Sequence, residues 1–121
     1  GAKVGDTKPY VRRLFKSPDP PTAIVAATDT CAADVAEAAQ EMGLVIPRDL
    51  SLTGFDDVAP ALFNSLNLTT VRINQPMLAD TAVDILLTHD PSSSKRIGRR
   101  IPTKMIVRGS TGPPPTVQAG V

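Results

Sequence analysis

Two short apolar runs, separated by the length of one helix and each followed by carboxylates, limit the folds open to this chain. The first run covers residues 22–28 and is followed by Asp29; the second covers residues 50–54 and is followed by Asp56 and Asp57. Both runs are too short for a helix, and the first has the unbroken apolar character of a strand covered on both faces. Between them, residues 30–42 predict a helix that Gly43 ends. A strand, a helix and a strand within about 30 residues predict a right-handed parallel βαβ unit.

Helices and strands continue to alternate on either side of this unit. Apolar residues at helical spacing predict a helix at residues 10–15, which a proline-rich stretch at 17–21 stops. Two further strands are predicted at 68–73 and 101–107, a short helix at 58–63 and a longer helix at 76–87. The alternation predicts the α/β class with a parallel sheet. The predicted buried side chains of the two longer helices are Ala33, Val35, Ala36, Ala39 and Met42 in the first and Met77, Ala79, Thr81, Ala82, Ile85 and Leu86 in the second.

The composition argues against several other classes of protein. The 121 residues carry a net charge of +1 and only 3% are aromatic, which does not favour a surface that binds bare nucleic acid. The single cysteine, Cys31, excludes an internal disulfide. No apolar run reaches the roughly 20 residues that cross a bilayer, and the N-terminus lacks a signal-peptide pattern. We therefore expect a cytoplasmic protein without a membrane partner.

Polar side chains follow both predicted strands of the βαβ unit. Thr28 and Asp29 follow the first strand, and Asp56 and Asp57 follow the second. Because parallel strands end at one edge of the sheet, where open α/β sheets bind ligands, we expect these side chains to share one rim. There the Asp56 carboxylate can accept hydrogen bonds from two adjacent hydroxyls of a sugar or a comparable ligand. The alternatives are that Asp29 only caps a helix and that Asp57 only begins a turn.

The sequence contains no pattern that predicts catalysis, a metal site or a cofactor. Cys31 and His89 are distant in the chain and form no evident pair, and no metal-ligand spacing, phosphate loop or nucleophile elbow occurs. The basic run at residues 95–100 can contact phosphates, but a solvated loop is favoured because no recognition-helix pattern accompanies it. We expect a binding protein with no catalytic residues, no metal and no cofactor.

Four segments occur together in an order and spacing that resemble a known family. They are PTAIVAATD at residues 21–29, GLVIPRDLSLTGFDD at 43–57, LTTVR at 68–72 and IVRGST at 106–111. Over about residues 18–112 they resemble the C-terminal part of LacI/GalR-type transcriptional regulators. One of these motifs alone would not be decisive, but four in register are specific.

The resemblance implies a type I periplasmic-binding-protein-like effector domain, in which two α/β lobes hold a ligand between them. It divides the sequence into an N-terminal helix and linker (1–21), part of the C-terminal lobe (22–72), an element of the N-terminal lobe (76–97), a return strand (98–111) and a flexible tail (112–121). The family reads operator DNA with an N-terminal helix-turn-helix, and no such pattern occurs in this sequence.

The resemblance also implies roles for individual residues. Asp56 matches the family's effector-contacting aspartate, whereas Thr28 stands where Asn is common and Ile73 where many sugar-responsive members have Gln. The expected effector is therefore less polar than a simple sugar, or there is none. The predicted effector-binding residues are Asp56, Thr28, Ile73 and Asp29. The predicted dimer interface, for which ordinary intramolecular core is the alternative, comprises Ala33, Ala36, Glu37, Leu62 and Phe63.

These implications predict the effector-sensing and homodimerising region of a transcriptional repressor. A small molecule, such as a sugar or a nucleoside, shifts the populations of two lobe arrangements, and one of them suits operator binding by the helix-turn-helix. The main alternative is a solute-binding protein of a transporter with the same fold. An enzyme built on this fold is a weaker alternative.

Overall fold

Three helices and four short strands alternate along the part of the chain that the computed structural model describes, residues 7–58, 66–90, 92 and 96–115. In chain order they are α1 (Lys8–Phe15), β1 (Ala23–Val25), α2 (Asp29–Glu41), β2 (Ser51–Thr53), β3 (Thr70–Ile73), α3 (Gln75–Thr88) and β4 (Thr103–Ile106). Every predicted helix and strand that falls on described residues is present, and the α/β class is confirmed.

The four described strands form two two-stranded sheets, β1–β2 and β3–β4, which isolated bridges join side by side. β1 and β2 pair in parallel, which confirms the predicted βαβ unit. Isolated parallel bridges join Thr53 to Thr69 and Asp56 to Arg72, so β3 runs beside β2 in the same direction. β4 pairs with β3 in the antiparallel direction. The carboxyl ends of β1, β2 and β3 therefore meet at one edge, as predicted.

β1 is shorter and more exposed than the sequence predicts. It covers three residues of the predicted seven-residue strand, and the Val25 side chain is 85% exposed. The expectation that both faces of this strand are covered is wrong for the described residues. β1 lies at the outer edge of the described sheet and pairs only with β2, so its other edge has no described neighbour.

α2 is positioned by capping at both ends and by one buried face. The Thr28 side chain is the N-cap and accepts a hydrogen bond from the Cys31 amide, 3.2 Å away. At the other end Gly43 has a φ of 76°, which glycine adopts without strain, and the helix stops there. The buried face consists of Ala32, Val35, Ala38 and Ala39 together with Asp29 and Asp34.

The core lies between α2 and the sheet. Leu50 and Leu52 from the second strand region and Leu68 before β3 are almost fully buried against the alanine face of α2. α1 packs against α2 and joins the same core through the buried Val11 and the partly buried Phe15. Ion pairs between α1 and α2 flank this contact, Lys8 with Glu37 and Arg12 with Glu41.

α3 forms where predicted, but its predicted buried side is wrong. The Asn74 side chain caps it by accepting from the Met77 amide at 3.1 Å, and Pro76 lies in its first turn. No residue of α3 is buried, and Leu86 and Leu87 are 79% and 82% exposed. The apolar pattern correctly predicted a helix, but no element in the described part of the chain packs against the apolar face of that helix.

Some predictions fall on residues outside the described ranges. These are the short helix that begins near Pro60, the dimer residues Leu62 and Phe63, part of the loop after α3, and the tail beyond residue 115. Within the described ranges, none of the helices has the length and apolar character needed to cross a membrane.

Candidate functional site

The residues that follow β2, Phe55 to Val58, form a turn with an unusual backbone, which we name the Asp56 turn. Asp56 has a φ of 104° and Asp57 a φ of 52°. Side chains with a Cβ rarely adopt positive φ, and each such residue costs about 1–3 kcal/mol. Two in succession require other contacts to hold them, and strain of this kind is concentrated at functional sites.

Backbone hydrogen bonds fix the Asp56 turn along its length. The Asp29 amide donates to the Phe55 carbonyl at 2.8 Å, and the Asp56 amide donates to the Val71 carbonyl at 2.9 Å. The Val58 amide donates to Asp29 Oδ2 at 3.0 Å. The turn is thus anchored to the start of α2 on one side and to β3 on the other.

Asp29 lies in the interior and does not face the rim that the sequence predicts for it. The residue is 2% exposed, and Thr70 Oγ1 donates to its Oδ1 at 2.6 Å while the Val58 amide occupies Oδ2. Gly54 is required beside it, because a Cβ there would overlap Oδ1 and lie 2.9 Å from Leu68 Cδ2. The helix-cap alternative is also wrong, since Thr28 is the N-cap and Asp29 is the first helical residue.

Asp57 is held between two arginines, so it does more than begin a turn. Arg72 Nε donates to Oδ2 at 2.6 Å and Arg108 Nη2 donates to Oδ1 at 2.7 Å. Only 9% of the Asp57 side chain is exposed. Burial of the carboxyl raises its pKa, but the hydrogen bonds and positive charges of Arg108 and Arg72 outweigh this, so the pKa of Asp57 lies below its ordinary value.

Asp56 differs from both neighbouring carboxylates. Its side chain is partly exposed and forms no hydrogen bond or ion pair with any described residue. A carboxylate whose backbone is fixed and whose oxygens have no partner among the described residues is well suited to accept hydrogen bonds from a ligand.

Two further predicted site residues lie at the same edge of the sheet. Thr28 is partly buried at the start of α2, where its hydroxyl oxygen accepts from Cys31 and its own proton remains available. Ile73 is partly buried at the end of β3, next to Arg72, which bridges to Asp56. The structure therefore brings Thr28, Asp56 and Ile73 to one edge and separates Asp29 from them by burial.

The predicted dimer residues on α2 have differing surroundings. Ala33 is partly buried, and Ala36 packs partly against the core. Glu37 is exposed and forms its ion pair with Lys8 of α1. The described residues contain no group of three or more His, Cys, Asp or Glu side chains that could hold a metal ion.

Four residues around the site were not singled out by the sequence. Thr70, Arg72 and Arg108 support Asp29 and Asp57, and the fully buried Ser110 joins two strands, donating to the Leu52 carbonyl at 2.6 Å and accepting from the Thr69 amide at 2.8 Å. All four residues lie within the segments that carry the family resemblance. Their presence in these segments could have marked them as candidates, but the sequence does not identify the partner of each side chain.

The fold and the turn define a class of protein, and comparison with known proteins identifies it. A family model described as periplasmic binding protein-like domain matches residues 2–111. A lactose operon repressor of Rhizobium radiobacter is 38% identical over 96 residues, which cover 78% of this chain and 83% of that protein. The transcriptional repressor CytR of Escherichia coli is 33% identical over 104 residues, covering 84% of this chain and 30% of CytR.

Solved structures agree with these sequence matches. A LacI transcriptional regulator from a Rhodococcus species superposes with a TM-score of 0.79 at 28% identity, over 93% of this chain and 42% of that one. A dimeric Lac repressor with an 11-residue C-terminal deletion superposes with a TM-score of 0.80 at 25% identity, over 93% and 41%. The chain belongs to the LacI/GalR family of transcriptional regulators and has its periplasmic-binding-protein-like fold, so the predicted resemblance is confirmed. It spans most of the first relative but less than half of CytR and of these two structures.

Proposed function

We propose that this chain is the effector-binding and dimerising region of a LacI/GalR-type repressor, and that the Asp56 carboxylate is its principal contact to the effector. The observation that carries the proposal is the contrast among three aspartates at one edge of the sheet. Asp29 and Asp57 have protein partners at both carboxylate oxygens, whereas Asp56 has none among the described residues. The relatives, which are transcriptional repressors, favour this function over solute delivery to a transporter.

The chemistry of the rim indicates the class of effector. A free carboxylate accepts hydrogen bonds from paired hydroxyl or N–H groups, and the Thr28 hydroxyl can donate one more. Ile73 contributes an apolar surface where an amide would otherwise add polar contacts. We infer a small molecule with a polar edge for Asp56 and an apolar part near Ile73, as in a nucleoside or a substituted sugar. Binding requires no bond to be made or broken, so no catalytic residue and no cofactor is proposed.

The test is calorimetric titration of the 121-residue chain with lactose, galactose, cytidine and adenosine. We expect saturable heat with at least one of these probes and a loss of affinity of about tenfold or more in Asp56→Asn, because a hydrogen bond to a charged group contributes about 1.5–3 kcal/mol. The control is Asp49→Asn. Asp49 is a suitable control because it forms an ion pair with Arg48 just before the beginning of β2, whereas the Asp56 turn follows the end of that strand. Equal affinity of the two variants, or no heat with any probe, would count against the proposal.

The partners follow from the family. We propose a homodimer formed through the exposed side of α2 near Ala33, Ala36 and Glu37 together with Leu62 and Phe63, and operator binding in the cytoplasm through a helix-turn-helix. One solved relative is named as a dimeric repressor. Sedimentation velocity should show a dimer that Ala33→Arg dissociates and that Thr103→Arg, at an exposed position on β4 away from α2, leaves intact. If the two substitutions changed the monomer–dimer equilibrium equally, α2 would not be part of the dimer interface.

A further inference from the structure

A charged cluster next to Asp56 connects parts of the chain that are far apart in sequence. We name it the Asp57 clamp and define it as Asp57, Arg72 and Arg108. Arg72 reaches Asp57 from β3, and Arg108 reaches it from the segment after β4, 51 residues further along the chain. Arg108 also donates from Nη1 to the Leu68 carbonyl at 2.8 Å, which fixes its guanidinium in one orientation.

The clamp lies where the chain leaves this part of the fold and returns to it. β3 leads into α3, and β4 comes back antiparallel beside β3. Arg72 is on the outgoing strand, and Arg108 is just beyond the returning one. The backbone of the same returning segment is tied to the residue just before β3, because the Arg108 amide donates to Thr69 Oγ1 at 2.9 Å. A single carboxylate thus joins the Asp56 turn to both connecting strands.

The backbone of the turn shows why such a clamp is needed. Asp57 itself has a positive φ of 52° directly after the strained Asp56. Aspartate tolerates the left-handed region of Asp57 better than most residues do, but the φ of 104° at Asp56 lies outside that region, so the strain is concentrated at Asp56. The backbone hydrogen bonds hold Phe55, Asp56 and Val58. At Asp57 the two guanidinium contacts take this role.

We propose that Asp57, Arg72 and Arg108 are positioning residues that hold the Asp56 carboxylate in its strained, ligand-accepting conformation and couple it to the two connecting strands. This inference rests on the proposed function of Asp56.

Amide hydrogen exchange of the 121-residue chain tests the clamp without any ligand. In Asp57→Asn we expect the Asp56 and Val58 amides to exchange at least about tenfold faster, while the Leu52 amide, which donates to the Ser110 carbonyl in the core, keeps its rate. Arg108→Gln should act like Asp57→Asn, and Arg108→Lys, which keeps the charge, should recover part of the protection. If Asp57→Asn does not fold, the two Arg108 variants carry the comparison.

The matched control is Asp49→Asn, which removes a carboxylate paired with the exposed Arg48. It should leave the Asp56 amide unchanged. Equal acceleration of the Asp56 and Leu52 amides in the clamp variants would mean that the cluster only stabilises the fold, and this result would overturn the proposal. Unchanged exchange at Asp56 would overturn it as well.

Probe titration separates this inference from the proposed function. With a probe that binds, Asp57→Asn should lose about tenfold in affinity at neutral pH while Asp49→Asn does not. Faster exchange at Asp56 with no probe bound supports the clamp and counts against Asp56 as the effector contact. If the affinity depends on Asp56 but not on Asp57, and the Asp56 amide exchanges at an unchanged rate in the clamp variants, the proposed function is supported and the positioning role of the clamp is refuted.

Discussion

Replacing Thr70 by valine isolates the hydrogen bond that holds the buried carboxylate behind the site. Thr70 is fully buried, and its hydroxyl donates to Asp29 Oδ1 at 2.6 Å. Valine keeps the shape of the side chain and its preference for strands but removes the donor. Asp29, itself 2% exposed, is then left with an oxygen that neither Thr70 nor bulk water satisfies.

The expected cost follows from the charge of the acceptor. A hydrogen bond to a charged group contributes about 1.5–3 kcal/mol, and an unsatisfied buried group costs a similar amount. For a domain of this size, 1 kcal/mol corresponds to about 4 °C in melting temperature, so Thr70→Val should melt about 6–12 °C lower. In urea the midpoint should fall with an unchanged m-value, because the surface exposed on unfolding stays the same.

The matched control is Thr103→Val. Thr103 lies on the neighbouring strand β4 and is exposed, with no side-chain hydrogen bond to any described residue. We expect a change within about 0.5 kcal/mol, as for other surface substitutions. If Thr70→Val were as mild as Thr103→Val, Asp29 would not depend on this donor, and the positioning of the Asp56 turn by a buried carboxylate would be refuted.

Three further substitutions test the cap, the close packing and the ion pairs around the site, each by urea unfolding. Gly54→Ala should lose about 1–3 kcal/mol because its methyl group overlaps the carboxylate behind it, whereas Gly98→Ala, with open space around it, should be neutral. Thr28→Ala should lose about 1 kcal/mol with the helix cap, and Thr28→Ser should regain most of it. For Asp57→Asn the deficit should depend on pH. The pKa of Asp57 is lower in the folded state, so its stabilisation is complete above its ordinary value of 3.8 and disappears as pH falls through the lower folded pKa. A deficit that stays constant between neutral pH and pH of about 2.5 would contradict this assignment.

Periodicity predicted which segments are helices and strands better than it predicted their buried faces. α2 was found because an apolar helical pattern lies between two short apolar runs and ends at Gly43. Its buried face was predicted only in part: Val35 and Ala39 are buried as predicted, but Ala33 and Ala36 are only partly buried. Ala32 and Ala38, which were not predicted, are fully buried. Alanines occur all around this helix, and hydrophobicity alone cannot distinguish one alanine face from another.

The candidate site was predicted at the level of the sheet edge but not of its internal contacts. That Asp56 follows β2 at the carboxyl edge could be read from the order of the elements. The burial of Asp29 could not, because its partner Thr70 is 41 residues away in the sequence. The same holds for Arg108, whose contact with Asp57 spans 51 residues. Contacts of this range depend on the register between strands, which a local pattern does not specify.

The three aspartates at this edge show how one side-chain type takes three roles. Asp29 is buried and fully hydrogen-bonded, so it can support the turn but has no oxygen to offer a ligand. Asp57 is neutralised by two guanidiniums, so it can anchor the turn but attracts no further cation. Asp56 combines a strained, anchored backbone with a carboxylate that has no described partner. A ligand at Asp56 therefore displaces no contact to a described residue, whereas at either of the other two aspartates it would have to displace such contacts. This difference in cost, rather than charge alone, is the physical reason to assign recognition to Asp56 and positioning to the other two.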